Sequence, residues 1–236
     1  MSAPALSPHD IRQHHRQAQR AVRLALNDVN RYMDTWKAAI SRGRACALAL
    51  SNALLTERHL AVLPLGELYR EMPDLRAAAT GKLVARQAQQ LEGLSAATQE
   101  LADLAESFRT CTTPVRELVE WQQAFPRLAL APVFKTSSLT ELCGLLEKAC
   151  TAHLAELPIK QGILREFEAL AGQLGQEDML TTSLPPLAAD AAKALSTAAL
   201  EARGQCLVAA WMMSLMADED ALAADLAAVT ADMAGC

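Results

Sequence analysis

Apolar residues recur along the first part of the chain at alternating steps of four and three. This heptad stripe runs for more than four repeats through Val22, Leu26, Val29, Met33, Trp36, Ile40, Gly43, Ala47, Leu50 and Leu54. Such a stripe is typical of a long helix that packs along another helix. Ser7 and Pro8 are suited to a helix start, and no further proline occurs before Pro64. The pattern therefore predicts a helix of about 50 residues, roughly 75 Å long.

A second heptad stripe follows a short connection. It runs through Leu83, Gln87, Gln90, Leu94, Ala97, Leu101, Leu104, Phe108 and Cys111. Two long helices joined by a short connection pack as an antiparallel pair. Gln87 and Gln90 are polar stripe positions, which fix register and partner choice at some loss of stability. Gly43 leaves room for the close approach of another backbone. Trp36, Gly43, Gln87 and Gln90 are therefore candidate partner-binding residues.

Shorter elements are predicted beyond residue 111. Residues 112–137 read as a connector with one short helix, and Ser138 with Glu141 forms a capping box that opens the next helix. Pro158 interrupts this helix within LAELPIKQGILREF, but the helical spacing resumes at once. We expect one helical path bent there by more than 20°, with Lys160 and Arg165 as exposed candidate partner contacts. Residues 175–186 read as a flexible loop.

Composition supports an all-α fold. Hydrophobic residues are 51% of the 236 but aromatics only 4%, so Ala, Leu, Val and Met dominate, and strand-like alternation is scarce. We expect an elongated bundle of long antiparallel coiled-coil-like helices with a smaller C-terminal helical part. The predicted organisation is a hairpin at 1–111, the connector at 112–137 and further helices at 138–236 that pack on the hairpin. The longest apolar run, residues 206–217, is shorter than the roughly 20 residues of a membrane span.

Charge is distributed unevenly. Residues 1–76 carry eleven Lys/Arg against seven Asp/Glu, a balance of +4, whereas residues 204–236 carry five acids and no base. One basic stripe lies near the start, with spacing suited to phosphate contact: Arg12, Arg16, Arg20 and Arg23. The chain carries a net charge of −5 and no aromatic residue lies among these arginines, so direct nucleic-acid binding is the minority hypothesis. Organelle targeting by the Arg-rich start is likewise a minority alternative.

Sequence motifs for catalysis are missing. The chain has no phosphate-binding glycine loop, no H-E-x-x-H and no G-x-S-x-G, so we predict no enzyme activity and no cofactor. His14 and His15 point about 100° apart on a helix, so surface exposure is favoured over metal binding. Six cysteines occur without a CxxC pair, which favours reduced thiols and no metal site. For Trp36, for Trp211 and for the Met-rich run 211–216, core packing is favoured over partner binding, although Trp36 and Trp211 stay candidate anchors.

The order of these features resembles the family of the cyclin-dependent kinase 2-interacting protein. A long N-terminal helix carries an isolated tryptophan in DVNRYMDTWKAAI, a Leu- and Gln-rich segment follows in ARQAQQLEGLSAATQELADLAESF, and APVF forms the connector. The stretch Glu156 to Phe167 is similar to the family pattern E-L-x-[LI]-K-x-x-[VI]-x-[KR]-E-[LF]. LVAAWMMSLMADEDAL is similar to its last helical part. The related AAA-ATPase-interacting ribosome maturation factor shows a more distant likeness.

This resemblance implies a non-enzymatic adaptor. It implies pairing with a paralogous helical protein as a hetero-oligomer, association with an AAA ATPase and a link to a cyclin-dependent kinase. The implied roles are pre-60S ribosome maturation, DNA replication and the DNA damage response, in the nucleus with some protein in the cytoplasm. Two alternatives stay open: an unrelated coiled-coil tether or scaffold subunit, and a nucleic-acid-binding helical protein that uses the basic stripe.

Overall fold

The all-α fold predicted from the sequence is confirmed. The computed structural model describes residues 7–64, 66, 71–181 and 186–234, and at 126–127, 173–181 and 186–196 it defines the helical path alone. Within these residues no strand occurs, and one isolated bridge joins Pro132 to Ser138. The helices are α1 (Pro8–Val62), α2 (Leu75–Thr110), α3 (Thr113–Gln122), α4 (Pro126–Ala129), α5 (Leu139–Thr181), α6 (Pro186–Met212) and α7 (Glu219–Met233).

The heptad stripe of α1 is its buried face. Every stripe residue from Val22 to Leu54 is buried except Ile40, which is half-buried. The stripe of α2 is buried from Leu94 to Phe108, and its polar position Gln87 is buried as well. Removal of this apolar surface from water is the main force that holds the long helices in place.

Two compact units divide the chain. The first unit contains Met1–Lys37, Leu101–Leu157 and Ser214–Cys236, and the second contains Ala38–Glu100 and Pro158–Met213. The three sequence-defined parts therefore do not correspond one to one with the units, because the hairpin and the C-terminal helices each contribute to both.

Within the second unit, α1 and α2 run antiparallel to each other. Glu57 accepts a hydrogen bond from Gln87, whereas Arg42, earlier in α1, pairs with Glu100, later in α2. Arg76, in the first turns of α2, donates to the carbonyl oxygens of Ala61 at 3.1 Å and Leu63 at 2.7 Å. These last bonds satisfy carbonyl groups at the end of α1, which have no partners within the helix.

Side-chain caps define three helix starts, and the sequence predicts those at Ser7 and Ser138. Ser138 Oγ accepts from the Glu141 amide at 3.3 Å while the Ser138 amide donates to Glu141 at 2.8 Å, which completes the capping box. The Ser7 hydroxyl and Asp10 form the same reciprocal pair at α1. Asp218 accepts from the Ala221 amide at 3.0 Å and caps α7. The hydrogen bonds from Ser138 lower the pKa of Glu141.

Pro158 lies inside α5, so the single helical path is confirmed. The predicted loop at 175–186 is wrong over 175–181, where α5 continues, and 182–185 lie outside the described residues. Glycine at 175 costs a helix only about 1 kcal/mol, and the Gln, Glu, Met and Leu that follow favour helix. In the connection between α1 and α2, residues 65 and 67–70 lie outside the described residues.

Candidate functional site

Lys160 is buried, which corrects the expectation that it is exposed. Only 1% of its surface is accessible, and its Nζ donates to the carbonyl oxygens of Ala210 at 3.1 Å, Trp211 at 2.9 Å and Met213 at 2.7 Å. These oxygens lie in and just beyond the last turn of α6, where backbone carbonyls lack partners and the helix dipole is negative. Lys160 therefore fixes the end of α6 from inside the second unit.

Trp211 and Gly43, two candidate partner contacts, lie against each other in the second unit. The indole Nε1–H donates to the Ile40 carbonyl at 2.9 Å, and Trp211 is fully buried. A Cβ on Gly43 would lie 2.2 Å from the indole Cζ2 atom. Gly43 is therefore closely approached by an indole side chain of the same protein, whereas the sequence predicted the approach of another backbone.

Methionine side chains next to these buried groups are exposed, although core packing was predicted for them. Met212 and Met213 of the second unit are 43% and 57% accessible. In the first unit, Leu215 and Met216 are 52% and 56% accessible. We call residues 212–216 the Met segment. Four of its five side chains are large, apolar and exposed, and Ser214 separates them into two pairs.

A buried carboxylate holds the Met segment in the first unit as Lys160 does in the second. Glu156 is 1% accessible, and its Oε2 accepts from the Met216 amide at 2.9 Å. In each unit a buried charged side chain therefore binds the backbone of the segment, while apolar side chains of the segment face solvent. Folded chains normally show the opposite distribution.

Three acidic residues follow the Met segment after Ala217. Asp218, Glu219 and Asp220 are exposed, and no lysine or arginine occurs anywhere in residues 204–236. Glu219 accepts a hydrogen bond from the Ser214 hydroxyl. The exposed apolar stretch is therefore accompanied by negative charge.

Trp36 lies in an aromatic cluster of the first unit. Its ring centroid is 6.2 Å from that of Phe108 and 5.4 Å from that of His153, and Phe108 stacks on His153 at 5.0 Å. His153 Nδ1 lies 2.8 Å from the Ala149 carbonyl, so this nitrogen donates. Burial lowers the pKa of His153. Trp36 is accordingly part of the core, and the sequence favoured this placement over an exposed partner anchor.

The two polar residues of the α2 stripe differ in exposure. Gln87 is buried and pairs with Glu57, whereas Gln90 is half-buried. Arg165, a candidate contact in α5, is exposed. Among the candidate partner-binding residues, Arg165 alone is exposed. The structure places Gln87 in a contact within the second unit.

The basic stripe is divided by its surroundings. Arg12, Arg16 and Arg20 are exposed, and within the described part of the chain no carboxylate pairs with them. Together with His9, Gln13 and Gln17 they line an open pocket of about 550 Å³. Arg23 instead lies over the Phe134 ring, 5.4 Å from its centroid. The arginine face is therefore Arg12, Arg16 and Arg20, without Arg23.

His14 is buried rather than exposed, contrary to expectation. It stacks on Trp121 with 4.4 Å between ring centroids, and burial lowers its pKa. Neither His14 nor any other His, Cys, Asp or Glu of the described residues belongs to a group of three that could hold a metal ion. Within the same residues no helix is sufficiently long and apolar to cross a membrane.

Comparisons with protein-family models, with curated proteins and with solved structures find no match to this chain.

One sequence signal for the buried charges was available. The buried stripe of α5 that includes Phe167 and Ile163 extends back at helical spacing onto Lys160 and Glu156. A charged residue on such a stripe is buried only if it finds polar partners. Here the partners are backbone groups of residues 210–216, about fifty residues or more away in sequence, and no local pattern identifies them.

Proposed function

We propose that this chain is a non-enzymatic helical adaptor that binds a second protein through the Met segment. The observation that carries the proposal is the distribution of polarity around residues 212–216. Charged Lys160 and Glu156 are buried to bind the backbone of this segment, and Met212, Met213, Leu215 and Met216 are exposed. Methionine is flexible and polarizable, which suits it to a surface that adapts to a partner.

Charge indicates what the partner surface is like. The acids that follow the Met segment favour an apolar patch bordered by lysine or arginine, as on one face of a basic amphipathic helix. A helical partner also agrees with the resemblance to the cyclin-dependent kinase 2-interacting protein family. That resemblance supplies the specific candidates: a paralogous helical protein and an AAA ATPase that act in pre-60S ribosome maturation and genome maintenance in the nucleus.

Affinity purification from the native organism tests this proposal. The full chain is expected to recover a second helical subunit and an AAA ATPase, identified by mass spectrometry. A variant with serine at positions 212, 213, 215 and 216 is expected to lose both and to keep its circular dichroism spectrum. Recovery of both by this variant would overturn the Met segment as the docking site, and their absence from the unaltered chain would overturn the partners.

A control variant replaces exposed apolar side chains of comparable individual accessibility elsewhere. Leu24, Leu48 and Val84 are 55%, 48% and 49% accessible and lie on α1 and α2. The triple change to serine at these positions is expected to leave recovery of both partners unchanged. Equal loss with both variants would indicate a general effect of surface polarity instead of a specific surface.

Nucleic-acid binding is the second candidate function, and the arginine face favours it. Three exposed guanidinium groups without a described carboxylate partner suit phosphate contact. The test is fluorescence anisotropy with a labelled single-stranded RNA and a labelled DNA duplex over a salt series. If the face binds phosphates, alanine at Arg12, Arg16 and Arg20 is expected to weaken binding and reduce the salt slope. Alanine at three arginines that are ion-paired, Arg31, Arg42 and Arg109, is the charge-matched control.

A further inference from the structure

Two thiols of the first unit lie within reach of each other. Cys111 directly follows α2 and Cys150 lies within α5, and their Sγ atoms are 3.7 Å apart. Cys46, Cys143 and Cys206 are the other described cysteines, and none of them has a described thiol within hydrogen-bonding distance. The pair is 39 residues apart in sequence and matches no local cysteine motif.

The surroundings give the two thiols unequal reactivity. Cys111 is half-buried, whereas only 3% of Cys150 is accessible. The hydrogen bond between the two thiols lowers the pKa of Cys111, while the same bond and burial raise the pKa of Cys150. The thiolate is the reactive form of cysteine. Cys111 is therefore both the more accessible thiol and the one that ionises first.

Nearby carboxylates oppose ionisation at this pair. Asp28 acts on Cys111 and Glu147 acts on Cys150, and each disfavours a negative charge on the thiol that it faces. Cys111 also opposes ionisation of Cys150, so only one thiolate is stable at a time. Such a pair has one attacking and one resolving sulfur.

We propose that Cys111 and Cys150 form a reactive dithiol site that takes low-molecular-weight disulfides of the oxidised-glutathione class and closes to an intramolecular disulfide. The Cys111 thiolate attacks one glutathione sulfur, forms a mixed disulfide and releases one glutathione thiolate. Cys150 then loses its proton and attacks the Cys111 sulfur, which releases the second glutathione thiolate. Two protein thiols are oxidised, one disulfide is reduced, and the two thiol protons go to two glutathione molecules.

Formation of the mixed disulfide removes the obstacle to the second step. Cys111 no longer carries negative charge once its sulfur is bonded to glutathione, so ionisation of Cys150 becomes easier. The sulfurs must approach by about 1.7 Å to reach the roughly 2.05 Å of a disulfide. The bond would cross-link the end of α2 to α5 and restrict the unfolded chain, which predicts a higher melting temperature for the oxidised protein.

The test incubates the full chain with oxidised and reduced glutathione at a series of ratios. We expect a mass loss of about 2 Da and a tryptic fragment that links Cys111 to Cys150, both reversed by dithiothreitol. Stable glutathione on Cys111 without the linked fragment would overturn the proposal. A product dominated by disulfides at other positions would overturn it as well.

Serine variants separate this pair from the other thiols. The Cys111→Ser and Cys150→Ser changes are each expected to abolish the 2 Da loss, and Cys150→Ser is expected to leave a mixed disulfide on Cys111. Cys206→Ser removes an exposed thiol without a described thiol neighbour and is expected to change nothing at the pair. Because the linked fragment is mapped in the unaltered protein, the result stands even if a serine variant folds poorly.

Discussion

Lys160 binds the backbone of a segment that lies about fifty residues further along the chain. A lysine that is 1% accessible is retained only where its charge is compensated, and here three carbonyl oxygens surround the ammonium group. Each bond to a charged donor contributes more than a bond between neutral groups. The side chain therefore stabilises the last turn of α6 and the segment that follows it.

The Lys160→Met change tests this role. Methionine keeps the length of the stem but leaves three carbonyl groups without their donor, so the free energy of unfolding is expected to fall by about 1 to 3 kcal/mol. Urea denaturation followed by circular dichroism measures it. Arg165→Met, on the exposed face of the same helix, is the control and is expected to change stability by about 0.5 kcal/mol or less. Equal stability of the two variants would contradict the role assigned to Lys160.

At the scale of elements, α1 and α6 are in contact where the indole ring of Trp211 packs on Gly43. Trp211 fills the space over Gly43 and donates its N–H to the Ile40 carbonyl, so packing and a hydrogen bond coincide. Glycine lowers the helix propensity of α1 by about 1 kcal/mol. The fit of the ring offsets this cost.

Two glycine substitutions distinguish this contact from helix propensity alone. Gly43→Ala places a Cβ 2.2 Å from the ring and is expected to lower the free energy of unfolding by about 1 to 3 kcal/mol. Gly162→Ala, within α5, places a Cβ with no atom within 4 Å and is expected to raise it by up to about 1 kcal/mol. Thermal and urea denaturation of both variants give the two signs. Stabilisation by both changes would show that the ring adapts without cost.

Prediction from sequence succeeded where the relevant interactions are periodic. The α1 stripe and the caps at Ser7 and Ser138 depend on residues within a few positions of one another, and all are observed. Burial of Lys160 depends on carbonyl groups at residues 210–213, and exposure of Met212 depends on where α6 ends in the fold. Such contacts are nonlocal. The sequence therefore predicted the wrong exposure for those site residues whose surroundings depend on nonlocal contacts.

At the scale of the whole molecule, two buried histidines connect stability to pH. Burial lowers the pKa of His14 and of His153, because a charged imidazolium is poorly solvated in their surroundings. Near His153, the carboxylates of Glu219 and Glu156 favour the charged form and Lys37 disfavours it, and burial outweighs them. Both histidines are therefore neutral in the folded state at neutral pH.

The sign of the pH dependence follows from proton binding. In the unfolded chain each histidine titrates near its ordinary value of 6.5, whereas in the folded chain the pKa lies lower. As pH falls below about 7, the unfolded state binds protons first, so the free energy of unfolding is expected to decrease. Each histidine contributes at most about 1.4 kcal/mol per pH unit. Asp10, Glu141 and Asp232 have lowered pKa values, so their contribution to stability is lost only in a more acidic range, as the pH falls below about 5.

The His153→Phe change isolates one contribution. The phenyl ring can occupy the stack on Phe108 but does not titrate, so the decrease in unfolding free energy between pH 7 and pH 5 is expected to become smaller. Urea denaturation at half-unit pH intervals measures the slope. Phe108→Leu, in the same cluster, is expected to lower stability at every pH and to keep a pH dependence, because the titrating imidazole is still present. A His153→Phe slope equal to that of the unaltered chain would place the proton uptake at other groups, because a buried neutral imidazole must contribute wherever the unfolded chain is protonated and the folded chain is not.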